Sequence, residues 1–286
     1  MNKLPATTRS MIVRCLMDGM GVRATCRVTG AAKRTVLNLL VEAGTFCEVF
    51  SDYRFRNLPV KEAQVDEQWG YIGSKQRNAK LPGQGDVWVF AGIDAETKLL
   101  FSWLVGARTP ENTFAFVKDI AERVSTRVQL TSDGWQPYPH AVRAAFAFAK
   151  CDFAVLQESY GQAQENVTSR RYSPPICTGA KKVRMIGRPN MAKVSTSFVE
   201  RVNLNTRMNC RRMTRLSNGF SRKHENHAAA LALTFFSYNY CKVQRTLTKA
   251  ANGVHTSPAM ASKLADRLWT ADDLIAMMDG SVLVGN

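Results

Sequence analysis

With 286 residues, 45% of them hydrophobic, the chain carries enough apolar surface for an ordinary core in about two domains, which excludes a disordered protein. Its longest strongly apolar stretch, residues 228–238, is shorter than the ~20 residues that span a bilayer, and its first ten residues lack a secretory run, so a non-membrane, intracellular (cytoplasmic) protein is expected. Of the net charge of +16, nearly all lies in residues 167–250, which hold 17 Lys and Arg against 2 acids; an anionic polymer is the natural partner of such a block, with a solvated basic face as the alternative.

The first 50 residues read as a small all-α module. A first helix is expected over residues 8–18, ended by Gly19 and Gly21, and a second over 22–28, followed by a turn at Thr29 and Gly30. A third runs over 31–43, with Val36, Leu37, Leu39 and Leu40 inward and Gly44 as its stop. Two helices joined by a glycine turn describe a helix-turn-helix, whose second helix would offer Lys33, Arg34, Thr35 and Asn38 to a DNA groove; a generic three-helix bundle is the other reading.

Residues 51–64 are expected to be a linker within a connector that starts near residue 45. Strand patterns then follow at 65–72, 86–95 and 99–106. Thr109-Pro110-Glu111 opens a helix with a cap, a proline at the first helical position and an acid in the first turn. A strand at 128–131, a helix at 137–148 and a strand at 153–156 complete an α/β domain with a mixed sheet. Residues 157–194, polar and basic, read as an insertion with little regular structure, before helices at 197–216 and 225–243. The catalytic domain is thus drawn over 65–260, with 261–286 as a C-terminal tail. The seven cysteines form no CxxC pair and read as reduced thiols.

Chemistry on a nucleic-acid phosphodiester needs charge neutralisation at phosphorus and an activated oxygen nucleophile, which two Mg²⁺ or Mn²⁺ ions ~4 Å apart supply. Such hard cations call for carboxylates converging from separate elements. Asp66 lies on the first strand in VDEQWGYIG, Asp133 at the end of a later strand in TSDGW, and Glu200 near the start of a helix in STSFVERVNLNTRM, with 67 residues in each interval. Each has an ordinary alternative. Asp66 could face solvent with Glu67 on the opposite face, Asp133 could cap a turn before Gly134, and Ser197 to Glu200 matches a capping box.

These three blocks in this order, with the helix ending YNYCKVQRTL and the later HTSPAMA, resemble the catalytic blocks of the insertion-sequence-one family of DDE transposases over residues 65–260. The resemblance implies a ribonuclease-H-like catalytic domain, a transposase that cuts element ends and joins the freed 3′-OH to target double-stranded DNA, and a homo-oligomer in the active complex. By motif it assigns Asp66, Asp133 and Glu200 as the catalytic, metal-holding residues. Val202 stands where members often have His or Gln, Gln244 stands where His is common, and no cysteine pair supports the N-terminal zinc finger that some members carry. Helical spacing puts Glu200, Asn203, Arg207, Arg211 and Thr214 on one stripe that would follow a DNA backbone, with Phe198, Val202, Met208 and Met213 turned towards the core. The alternatives are a nuclease or resolvase of the same fold, and a DNA-binding regulator with dead chemistry.

Overall fold

The structure is a computed structural model that describes residues 3–146, 150–160, 177–215 and 217–280. Three helices come first: α1 (Ala6–Met17), α2 (Val22–Thr29) and α3 (Lys33–Arg54). The turn expected at Gly30 is there, with Gly30 left-handed at φ 71° as the C-cap of α2. Strands β1 (Glu62–Ile72), β2 (Gly85–Asp94) and β3 (Leu100–Gly106) follow, then α4 (Pro110–Arg123), β4 (Val128–Ser132), α5 (Tyr138–Ala145), β5 (Cys151–Tyr160) and β6 (Cys177–Ile186). Next come α6 (Ser197–Asn209) and α7 (His224–Phe236), the latter running into a π-turn, Ser237–Cys241. The short α8 (Arg245–Ala250) and α9 (Pro258–Ala261) precede the last helix, α10 (Ala271–Gly280).

The six strands form one mixed sheet in the order β3-β2-β1-β4-β5-β6. β1, β2 and β3 make an antiparallel meander, β4 and β5 run parallel to β1, and β6 returns antiparallel to β5. Helices cover both faces, as parallel strands require. Phe90 on β2 meets Phe116 of α4, while Trp103 on β3, opposite Ala91, meets Phe235 of α7 on the other face. The buried amide of Asn239, in the π-turn, bonds both the N–H and the C=O of Leu100 at 3.0 and 2.7 Å and so docks α7 on the sheet. This mixed α/β architecture behind N-terminal helices is compatible with a ribonuclease-H-like domain after a helical module. No helix among the described residues is long and apolar enough to cross a membrane.

Three expectations change. Gly44 does not stop α3, which continues to Arg54 through residues expected to be a connector. A Cβ at Gly44 would lie 2.4 Å from the carbonyl oxygen of Ala229, so this glycine exists to let α3 cross α7 closely. Beyond the crossing, Phe50 reaches Phe236, Tyr240 and Trp269, an aromatic cluster that fastens α3 to the chain's last third. Secondly, much of 157–194 is not irregular: β5 extends to Tyr160 and β6 pairs with it, while residues 161–176 lie outside the described residues. Both faces of this hairpin's outer part are exposed, so its sequence lacks the alternation that marks a half-buried strand. Thirdly, residues 271–280 of the expected tail are helical and pack on α1, where the buried Arg9 makes a bidentate pair with Asp279 at 2.8 and 2.5 Å.

Candidate active site

The parallel register of β1 and β4 puts Gln64 opposite Thr131. Two residues further on stand Asp66 and Asp133, which the register therefore brings to the same level of neighbouring strands. β4 ends at Ser132 while β1 runs on to Ile72, so a strand edge opens beside β1 at this level. Carboxylate oxygens of Asp66, Glu67 and Asp133 all lie within 4.8 Å of one another there. Glu67, which strict alternation along the strand would place on the opposite face, thus lies with the two aspartates.

The three acids have different surroundings. Asp66 accepts from the N–H of Glu67 at 2.8 Å and from the Asn203 side-chain amide at 2.7 Å. Burial, with the charges of Asp133 and Glu67 adding to it, pushes its carboxyl up to about 8. Glu67 has no exposed side-chain surface. Burial raises it to about 7, against the opposing hydrogen bond from the Tyr138 hydroxyl and the charge of Arg108. The same burial, with Glu67 beside it, holds the Tyr138 phenol well above its ordinary range, so it stays a donor. Asp133, partly exposed, accepts from the N–H of Trp135 at 3.0 Å, which orders the turn through Gly134.

Arg108, in the loop between β3 and α4, closes the group. Its guanidinium bonds Glu67 through Nε at 3.0 Å and lies over the rings of Trp88 and Trp135 at 4.7 and 4.0 Å. Glu67, Arg108, Trp135 and Tyr138 were not singled out by sequence as site residues. The only hint was their position: Glu67 beside Asp66, and Trp135 and Tyr138 just after Asp133.

Glu200 sits in the first turn of α6, exposed and outside this three-acid group, and its charge adds to the upward push on Asp66. The capping box that was the alternative reading of Glu200 does not form. The N-cap is Thr196, whose hydroxyl bonds the Glu200 carboxylate, and the N–H groups of Phe198 and Val199 donate to Gln64 Oε1 at 2.8 and 3.2 Å. A glutamine from β1 therefore caps α6 and ties Glu200 to the strand that carries Asp66.

The stripe beyond Glu200 is shorter than expected. Asn203 is buried on Asp66, and Arg207 is half-buried near it, with burial lowering its guanidinium against the pull of Asp66. α6 ends at Asn209, so Arg211 is exposed in a following 3₁₀ turn rather than on the helix. Val202 and Met213 are buried as expected, but Met208 is 67% exposed and Phe198 lies at the surface beneath Lys98. Lys33, Arg34 and Asn38 are exposed on the first turns of α3, far along that helix from Arg54.

No protein-family model matches the chain. It is 26% identical over 165 residues to the insertion element IS1 2 protein InsB of Escherichia coli (strain K12), covering 58% of this chain and 68% of that protein. The same identity and extent hold for the insertion element IS1 protein InsB of Shigella sonnei, of which 86% is covered. The chain is thus distantly similar to InsB proteins of insertion elements.

Proposed function

We propose that the protein is a DNA transposase of the DDE type that binds element ends, cuts a DNA strand in a metal-dependent reaction and transfers the freed 3′-OH to target DNA. The observation that carries this reading is the pairing of Asp66 and Asp133 at one level of adjacent parallel strands, beside a strand edge, with their oxygens converged. The similarity to InsB proteins of insertion elements and the basic block over 167–250 support it.

The donor set suits a hard divalent cation. Its oxygens are carboxylates, and burial, with their mutual repulsion adding to it, holds Asp66 up at about 8, a shift that a bound cation would reverse. Asp66, Asp133 and Glu200 would hold Mg²⁺ or Mn²⁺, two ions in this reading. Such ions supply charge neutralisation at the phosphate and a more acidic attacking water or hydroxyl. The chain's own residues do the rest. Asn203 fixes the rotation of the Asp66 carboxylate, and the Trp135 N–H fixes that of Asp133. Gln64 holds the first turn of α6, and Glu200 with it, against β1. Both cleavage and joining are displacements at phosphorus, so one site serves both steps. α2 and α3 would act as a helix-turn-helix, with Lys33, Arg34 and Asn38 reaching base edges or phosphates, and Arg207 and Arg211 would meet the backbone near the cut. Holding two ends together calls for a homo-oligomer.

The test is an assay with labelled duplexes that carry the element's ends, in Mg²⁺ or Mn²⁺. Cleaved and joined products are expected from the wild type, and neither from Asp66→Asn, Asp133→Asn or Glu200→Gln at unchanged DNA affinity. Cutting without joining would make the protein a nuclease, and full activity in any of the three variants would remove that residue from the site.

A further inference from the structure

We propose that Arg108 is a positioning residue that withdraws Glu67 from the cation-binding set, so that Asp66 and Asp133 receive the metal and Glu67 does not; this rests on the metal-dependent reading above. By position alone the three carboxylates are equivalent. By bonding they are not. Both oxygens of Glu67 are engaged, Oε1 by the Tyr138 hydroxyl and Oε2 by Arg108 at 2.8 and 3.0 Å, and its side chain has 0% exposure. Asp66 has only neutral donors, and the 41%-exposed Asp133 side chain stands 3.8 Å from Arg108, beyond hydrogen-bonding distance.

Arg108 is not free to follow another anion. It lies against the rings of Trp88 and Trp135, and Trp135 is pinned by its Nε1–H to Thr113 Oγ1 at 3.0 Å and by its N–H to Asp133 at 3.0 Å. A planar cation held by two rings keeps one orientation far better than a lysine would. The tryptophan that fixes the counter-ion of Glu67 thus also orients Asp133. Glu67, Arg108 and Tyr138 satisfy one another, which leaves the carboxylates of the two aspartates, not of all three acids, open to a cation.

The experiment is calorimetric titration of the purified full chain with Mn²⁺ alone, at one pH and without DNA. Arg108→Gln leaves Glu67 uncompensated and is expected to tighten Mn²⁺ by about tenfold, while Glu67→Gln leaves the charge of Arg108 uncompensated 3.8 Å from Asp133 and is expected to weaken it by about tenfold. The double variant, neutral again, is expected within about threefold of wild type, and Arg108→Lys, which keeps the charge, well below the shift of Arg108→Gln. If Arg108→Gln does not fold, by its melting curve, the comparison of Glu67→Gln with the double variant decides. Loss of binding in Glu67→Gln that persists in the double variant makes Glu67 a ligand and overturns the proposal while leaving a metal site. Unchanged affinity in Arg108→Gln also overturns it. Absence of Mn²⁺ binding in the wild type, or binding that Asp66→Asn does not reduce, overturns the metal reading itself and this proposal with it.

Discussion

The side-chain amide of Asn203 donates to Asp66 Oδ2 at 2.7 Å, while its backbone carbonyl accepts from the buried Gln68 side chain at 2.9 Å. One residue of α6 is thereby tied to β1 twice, on either side of Glu67. Asn203→Ala is expected to lower strand cleavage by about 10- to 100-fold, the usual effect of removing a group that orients a metal-binding carboxylate. DNA affinity, measured by anisotropy, should stay unchanged. Wild-type cleavage in that variant would make the bond a packing detail.

The raised carboxyls set a pH dependence for the metal-free protein. Asp66 titrates at about 8 when folded and near 3.9 when unfolded, so the folded state binds more protons throughout that window. Stability therefore falls as pH rises from about 4 to about 8, and Glu67, at about 7, acts in the same direction. In EDTA, the melting temperature of the wild type is expected to drop across this range. Asp66→Asn should flatten the slope and melt higher than wild type at pH 8. A slope of opposite sign would mean that the acids are ionised without strain.

Gln64 caps α6 through a single oxygen. Gln64→Ala is expected to cost about 1 kcal/mol in urea denaturation, the ordinary effect of removing a helix cap. Cleavage should fall further than this stability loss explains, because Glu200 rides on the uncapped turn. Gln64→Glu, which keeps an acceptor, should recover the stability. Equal loss in both variants would place the effect elsewhere.

At Gly44 the neighbouring backbone leaves no space for a side chain. Gly44→Ala is expected to destabilise the protein by about 1–3 kcal/mol by prising α3 from α7. The higher helix propensity of alanine would act the other way. A variant as stable as wild type in chemical denaturation would show that the crossing yields freely.

Roles in DNA binding divide by position. Ala at Lys33, Arg34 and Asn38 together should reduce preference for element ends over random duplex. Arg207→Ala with Arg211→Ala should weaken binding to all sequences and lower the slope of log K against log salt by about 2, one for each phosphate no longer neutralised. Binding isotherms from low to moderate salt measure both, and an unchanged slope removes the two arginines from the interface.

Asp133 was legible as a candidate because an acid at a strand end before a glycine is a local feature, whereas Asp66, inside β1, stood out only through its motif; parallel pairing then sets their level. Glu67 was not, since strict alternation sends it to the other face, and its place beside the two aspartates is visible only in the folded chain. Arg108 is 41 residues from Glu67, and nothing in its own neighbourhood announces a buried partner. Gly44 shows the same limit: a helix stop and a close helix crossing ask for the same residue, and only Ala229 across the gap tells them apart. The α/β class with a mixed sheet followed from the chain order of strands and intervening helices. The β5–β6 hairpin did not, because a strand exposed on both faces has no hydrophobic period to read.

The unbroken run of α3 has a geometric consequence. Its 22 residues make a rod about 33 Å long at 1.5 Å per residue. The exposed Lys33 and Arg34 stand at one end, and the crossing with α7 and the aromatic cluster around Phe50 clamp the middle and the far half. If the near end reads DNA, the rod acts as a ruler. The spacing between the base pairs recognised and the phosphodiester cut would then be a property of the folded protein, not of a flexible tether, and inserting or deleting even a few base pairs between them would take the cut site out of reach.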